Sequence, residues 1–402
     1  PSQLVASHTL SQLVASSSQL LAAARTMLAS TLRAARTTLT KRLATTQAVV
    51  LEEVGKLSLR DIDVSEPFTA DDVRIDIKSV GICGSDVHYY KHGVIGPFVV
   101  NQPMILGHEA SGVVAEVGAN VTHLEVGDRV CMEPGVPDPT SAESRLGMYN
   151  LCRKLRFWAT PPYARNLLDD PAWAAGHGCL RPSVVHPANY TFKLPDNVSL
   201  DEGAMVEPLA VGMHASTMAE IRPGDVCAVV GAGPIGFLTA LSALAAGCSK
   251  VYLSDLSPAK LAVAESLAPG KIVGVDAAGD VAAEILAATG GWGADVVVEC
   301  SGSAPGAMLV PFLGCPGAKA VFVGCPPDCA LPVGELQVRE MRVLTVFRYA
   351  HVYAKAIAML ESGLIDVKPI ITNHWDFADS VAAFDFSRDP PDDVIKSVIH
   401  LP

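Results

Sequence analysis

Apolar and polar residues alternate with period two over residues 73–80 (Val-Arg-Ile-Asp-Ile-Lys-Ser-Val), which is the pattern of a half-buried strand. Residues 112–118 form another β segment, bounded by glycines. Several such segments ahead of any long helix predict a mostly antiparallel, barrel-like domain. After Glu207 the period changes. Residues 226–230 are continuously apolar, glycines follow at once, and residues 235–246 read as a helix, together a βα unit of a parallel sheet. Further buried strands are expected at residues 250–255, 294–299 and 318–324, and their alternation with helices predicts an α/β fold with a doubly wound parallel sheet. Near the end, a helix is expected over residues 353–360 and extended segments over 367–371 and 394–399, returning to the first domain. The proline-rich passage 134–162 and the stretch onward to Pro187 have little periodicity and are expected as surface loops outside the core.

The chain has 402 residues, 50% of them apolar and 18% charged, enough to bury two cores. A net charge of −12 offers no basic face, so nucleic acid is not an expected partner. The ten cysteines lack the dense regular spacing of a disulfide scaffold and read as reduced thiols of an intracellular protein. No apolar run reaches the ~18–20 residues that cross a bilayer, so no membrane association is expected.

Residues 1–51 hold no Asp or Glu but carry Arg25, Arg33, Arg36, Lys41 and Arg42, the composition of an organelle transit peptide. The same region repeats Ser-Gln-Leu-Val-Ala-Ser at 2–7 and 11–16, which also suits a low-complexity extension. The two readings imply mitochondrial and cytoplasmic locations respectively. The expected division is an extension at 1–46, a catalytic domain at 47–206, a dinucleotide-binding domain at 207–347 and a return to the catalytic domain at 348–402.

Gly231-Ala232-Gly233-Pro234-Ile235-Gly236 is a G-x-G-x-x-G loop set between a buried strand and a helix. Gly231 permits the tight turn, Gly233 lets backbone approach a pyrophosphate, and Gly236 lets the helix pack closely. Pro234 and Ile235 open the helix, where a missing amide hydrogen costs nothing. Asp255, 19 residues after Gly236, ends the next strand, where a carboxylate accepts from ribose hydroxyls and repels a 2′-phosphate. NAD is therefore favoured over NADP.

Cys83 stands in a glycine turn, and His108-Glu109 follow 25 residues later. Cysteine, histidine and a carboxylate make a workable shell for Zn²⁺ with one position left open. Any one of them alone would be an ordinary core thiol or a hydrogen-bonded structural histidine.

The segments Gly107 to Gly112, Glu125 to Val130 and the glycine loop, in this order, resemble the zinc-containing medium-chain dehydrogenases. Gly81 to Tyr89, Met132 to Gly135, Ala159 to Pro162, Lys193 to Val198, Val206 to Gly212 and Val346 to Tyr349 resemble its sorbitol and xylitol dehydrogenase branch. The resemblance implies a GroES-like catalytic domain joined to a Rossmann domain. It implies that Cys83, His108 and Glu109 surround one catalytic zinc per subunit, with Glu207 reaching the metal directly or through its water, and that Ser85 and His88 relay the proton. Tyr89, Phe157, Thr160, Arg348 and Tyr349 match substrate positions. Asp255, Lys260, Val323, Gly324, Val346, Phe347 and Arg348 match cofactor contacts.

The expected reaction is oxidation of a small polyol, of the xylitol or sorbitol kind, to its ketose with hydride transfer to NAD, by a homotetramer. A zinc dehydrogenase of simpler secondary alcohols, an L-arabinitol 4-dehydrogenase and a non-catalytic NAD-binding protein stay as alternatives. Two features depart from the family. The loop after Gly135 keeps only Cys152 where many relatives place four cysteines around a structural zinc, and four thiolates are needed to close such a site. The stretch between Pro162 and Lys193, with Trp173 and His177 inside it, is longer than in relatives by about a dozen residues, a length unusual without function.

Overall fold

The structure is a computed structural model that describes residues 43–162, 176–326 and 328–402. The basic residues of the targeting reading and Trp173 fall outside them. No helix of the described residues is long and apolar enough to cross a membrane.

The period-two segment forms the strand Asp72–Gly81 at the centre of a seven-stranded sheet. Val73, Ile75 and Ile77 are fully buried while the residues between them face outward, as alternation requires. In spatial order the sheet runs Thr191–Lys193, Arg129–Met132, Glu109–Val117, Asp72–Gly81, Lys396–His400 and Ile371–Asp376, with Ser183–Pro187 also paired to the 72–81 strand. Its pairs are antiparallel except the last, between 371–376 and 396–400. The chain end therefore does return to the sheet begun near residue 72.

The second sheet has six strands, all parallel. Its order is Ile272–Asp276, Lys250–Asp255, Val226–Val230, Ala294–Glu299, Gly314–Phe322 and Arg342–Thr345. Strand order reverses beside Val226–Val230, and the crevice beyond its carboxyl end is the expected ligand position of such sheets. The helix Pro234–Ala246 starts there.

Two expectations need correction. The stretch 134–187 is not merely a surface loop: Trp158, Cys179, Leu180 and Val184 are fully or almost fully buried. Its apolar residues are too widely spaced to show a period. Backbone bonds such as Leu180 N–H to Leu106 C=O (3.0 Å) and Cys179 N–H to Gly107 C=O (2.9 Å) pin them into the core individually. The segment 367–371 is not a strand either. Lys368–Ile370 is a 3-10 turn, and the strand is Ile371–Asp376, because Pro369 has no amide to donate to a ladder.

Candidate active site

Cys83 lies at the end of the 72–81 strand and immediately precedes the helix Gly84–His92. His108 and Glu109 arrive on the neighbouring strand, paired so that Glu109 faces Gly81. Gly107 has φ of 89° and a Cβ there would sit 2.7 Å from Leu180, so only glycine allows the turn that presents His108. Gly81 is equally constrained, since a Cβ would fall 2.1 Å from Glu109 Oε2.

The ligating atoms of Cys83, His108 and Glu109 all lie within 4.8 Å of one another. His108 is 5% exposed and Glu109 1%. Asp86, fully buried, stands behind His108, its Oδ2 3.5 Å from Nδ1, and neither atom has a further hydrogen-bond partner among the described residues. Burial alone would lower the His108 pKa, but Asp86 and the Cys83 sulfur outweigh it and hold the pKa well above its ordinary value. Asp86 and Cys83 thus place electronegative atoms around the imidazole, and the thiol, imidazole and carboxylate donors fit Zn²⁺. Asp86 takes the outer-shell place that orients a ligating histidine.

Lys396, on the strand Lys396–His400, forms a buried ion pair with Glu109 Oε2 and donates to the Ile82 carbonyl at 2.9 Å. Ser85 donates to the Cys83 sulfur at 3.2 Å. His88 is exposed on the same helix and packs on His92 at 4.6 Å; the Ser85 hydroxyl bonds to Cys83 and not to it.

Glu207, in the helix Val206–Met218, is 6% exposed and accepts from the Tyr349 hydroxyl at 2.8 Å. Burial raises its pKa to about 7, with Glu109 adding to the rise and His108 opposing it. The Arg348 guanidinium lies 4.1 Å over the Phe157 ring and 4.5 Å over Phe347. Burial lowers its pKa to about 10, so it stays charged near neutrality. Tyr89 is buried, with Arg348 and Thr160 beside its hydroxyl. The five residues matched to substrate positions are thus brought together beside His108, whose ring is 5.7 Å from Phe157.

Glu133, Tyr149, Asp86 and Lys396 were not singled out by the sequence. Glu133 lines one small cavity with Tyr149, Phe157, Arg348 and Tyr349 and accepts from the Tyr149 hydroxyl at 2.7 Å. Burial raises its pKa from the ordinary 4.5 to about 7. A carboxyl whose folded pKa is raised contributes stability that is complete below the unfolded value and lost as pH rises through the folded one. Glu133→Gln is therefore expected to stabilise the fold at pH 8, by on the order of 1–2 kcal/mol, and to leave stability at pH 4.5 nearly unchanged. Denaturant titrations at both pH values check this, and parallel behaviour of variant and wild type would count against it.

At the glycine loop, Gly231 has φ of 98°, and a Cβ on Gly236 would lie 1.8 Å from the Gly231 carbonyl oxygen. Around Gly233 a Cβ would meet nothing within 4 Å, which leaves the open backbone approach a pyrophosphate needs. Pro234 and Ile235 begin the helix. Asp255 Oδ2 accepts from the Ala232 amide at 2.6 Å and Oδ1 from Ser257 at 2.9 Å, so the carboxylate is held rigidly at the loop. Lys260 lies in the first turn of the helix Pro258–Leu267. Val323, Gly324 and Val346 follow the ends of their strands, tied by Val323 and Gly324 N–H to Glu299 C=O (2.9 and 3.0 Å) and Val346 N–H to Phe322 C=O (2.9 Å). Phe347 is exposed and stacks on Phe98 at 6.1 Å.

In the long stretch after Pro162, His177 Nδ1 accepts from the Ile105 amide at 3.2 Å and His186 Nε2 lies 2.9 Å from the Glu133 carbonyl oxygen, so both described histidines there are tied to backbone. In the loop after Gly135, Asp138 pairs with Lys154 at 3.1 Å and Glu143 with Arg153 at 2.8 Å, and Ser141 caps the helix Ala142–Arg145.

Residues 69–196 match the family model for the alcohol dehydrogenase GroES-like domain, and residues 234–362 that for zinc-binding dehydrogenases. A protein of Rhizobium meliloti (strain 1021), provisionally named D-xylulose reductase, is 53% identical over 357 residues, covering 89% of this chain and 99% of the relative. A D-xylulose reductase of Morganella morganii is 49% identical over 345 residues, 86% and 98% of the two chains. The crystal structure of an Escherichia coli oxidoreductase of unknown specificity, 35% identical, superposes with a TM-score of 0.81 over 89% of this chain and all 100% of the other. The likeness spans both sheets and the cysteine, histidine and carboxylate cluster between their motifs, and the chain belongs to the zinc-dependent medium-chain dehydrogenase family, in its polyol dehydrogenase branch.

Proposed function

We propose that this chain interconverts a small polyol and its ketose with hydride exchange at NAD, a five-carbon polyol such as xylitol being the preferred substrate. The observation that carries the proposal is the cluster of half-buried Cys83 with buried His108 and Glu109, set beside Arg348, Tyr349 and Glu207. The names of the relatives at 53% and 49% identity support the choice of xylitol and D-xylulose.

Cys83, His108 and Glu109 would hold a zinc ion and the glycine loop a nicotinamide dinucleotide, which when bound would supply Lewis acidity toward a substrate hydroxyl and a hydride acceptor. The chain's own residues bind, orient and move the proton. Asp86 fixes the His108 ring. Arg348, stacked between aromatic rings, offers a rigid fork of donors to the remaining substrate hydroxyls, and Tyr89 and Thr160 add polar groups on the same wall. Glu207, whose carboxyl is pushed toward the protonated form by burial and accepts from the Tyr349 hydroxyl, is the acid–base group on this wall. Ser85 beside Cys83 and exposed His88 share one helix, a placement that supports a proton path from the buried site to water.

Asp255 supports NAD over NADP, because its carboxylate would face a 2′-phosphate. Asp255→Ala is expected to raise the NADP:NAD ratio of kcat/KM on the order of tenfold or more. An unchanged ratio would remove Asp255 from cofactor selection. Assembly as a homotetramer belongs to the same proposal. The edge strand Arg342–Thr345, with Val343 45% exposed, supports further pairing, and light scattering should give four times the 42.1 kDa chain mass.

Initial rates on C5 and C6 polyols and on simple secondary alcohols, each with NAD and NADP, test the whole reading. Xylitol with NAD is expected to give the highest kcat/KM. Turnover of simple alcohols alone would sink it.

A further inference from the structure

We propose that Asp201, His374 and His400 form a second metal site, separate from the catalytic cluster, that takes a borderline divalent ion such as Zn²⁺. The three residues come from distant parts of the chain. Asp201 belongs to the helix Leu200–Ala204, His374 to the strand Ile371–Asp376 and His400 to the strand Lys396–His400.

The two strands run parallel, with Asp376 opposite His400 and His374 opposite Val398. This register brings the imidazole rings to 5.2 Å between centroids. Asp201 reaches them from above, and its Oδ2 lies 3.2 Å from His400 Nε2 and 3.6 Å from His374 Nδ1. All three ligating atoms lie within 4.8 Å of one another. A tetrahedral ion with bonds of about 2.0–2.1 Å separates its ligands by about 3.3–3.4 Å. Two of the three edges bracket that spacing and the third, between the histidines, lies within 4.8 Å.

The other carboxylate oxygen is already engaged. Asp201 Oδ1 accepts from Ser79 Oγ at 2.6 Å, and His400 Nε2 lies 2.9 Å from it. Ser79 is 1% exposed, and this buried hydroxyl fixes the carboxylate as outer-shell donors fix metal ligands. The ligand side chains are 26%, 50% and 41% exposed for Asp201, His374 and His400, which gives an ion access and leaves room for water in the remaining position. Two imidazoles and one carboxylate suit Zn²⁺, Cu²⁺ or Ni²⁺ rather than Ca²⁺ or Mg²⁺. Three ligands from a half-exposed surface make this the weaker site, one that fills on addition of metal and empties on gel filtration.

The test uses untagged holoenzyme. After gel filtration it is expected to carry one zinc per chain, and equilibrium dialysis against micromolar free Zn²⁺ to bring a second. His374→Ala and His400→Ala should each stay at one while turnover remains within about twofold, and Cys83→Ser should lose the first equivalent and keep the second. Cu²⁺ added to wild type should show paramagnetic-resonance coupling to two nitrogens, falling to one in His374→Ala. A wild type that never exceeds one equivalent overturns the proposal. So does a second equivalent retained by both histidine variants, which would place it elsewhere, as on the exposed Cys325.

Discussion

Cys83→Ser is expected to empty the catalytic site and lower kcat/KM about 10³-fold or more, because loss of Lewis-acid stabilisation removes several kcal/mol from the transition state. Cys83 is the only thiolate of the cluster, and a carboxylate-containing shell binds zinc less tenaciously than a thiolate-rich one. Serine cannot supply a comparable anion at neutral pH, and Ser85 would lose its sulfur acceptor. The fold should persist, since Cys83 is only half-buried and sits outside the large apolar clusters. Metal analysis, circular dichroism and steady-state rates check the three parts together. A variant that kept its zinc and its turnover would remove Cys83 from the site. The same metal analysis on wild type is expected to find one tightly held zinc per chain.

The second large effect belongs to Lys396. Its ammonium is 2% exposed and faces a carboxylate that is 1% exposed. Burial would lower the Lys396 pKa, but Glu109 outweighs it and keeps the pKa above its ordinary value, so the ammonium is charged near neutrality. Lys396→Met leaves Glu109 as a buried, uncompensated anion, which costs about 3–5 kcal/mol when one partner of such a pair is removed. Zinc at the same carboxylate supplies the missing positive charge. The melting temperature of Lys396→Met should therefore fall steeply in metal-free protein, and zinc should restore the variant by more than it raises wild type. Equal losses with and without zinc would show that Glu109 does not feel the metal. Gly81 belongs to the same device, because its missing Cβ is the space that Glu109 Oε2 and the Lys396 side chain occupy.

The glycine loop and its strand and helix were legible because every determinant is local. A continuous apolar run, three glycines and an acidic residue 19 positions on need no knowledge of distant chain. Cys83 and His108-Glu109 were legible as residue types, and the family resemblance joined them. Lys396 and Asp86 were not. Lys396 lies 287 residues from Glu109 in sequence and looks like any strand-end lysine, while Asp86 looks like a solvated acid in the first turn of a helix. The burial of Trp158, Cys179 and Leu180 was missed for a related reason, since irregular segments carry no period to read.

The sequence by itself determined the two kinds of sheet, the position of the dinucleotide loop and the donor types offered to a metal. These follow from hydrophobic period and from the backbone freedom of glycine, both properties of neighbouring residues. Tertiary structure alone decided which charges face one another: Lys396 on Glu109, Asp86 on His108, Tyr349 on Glu207, and Asp201 between His374 and His400. Electrostatic pairing depends on distance in space and on exclusion of water. Neither is written into any stretch of chain short enough to read alone.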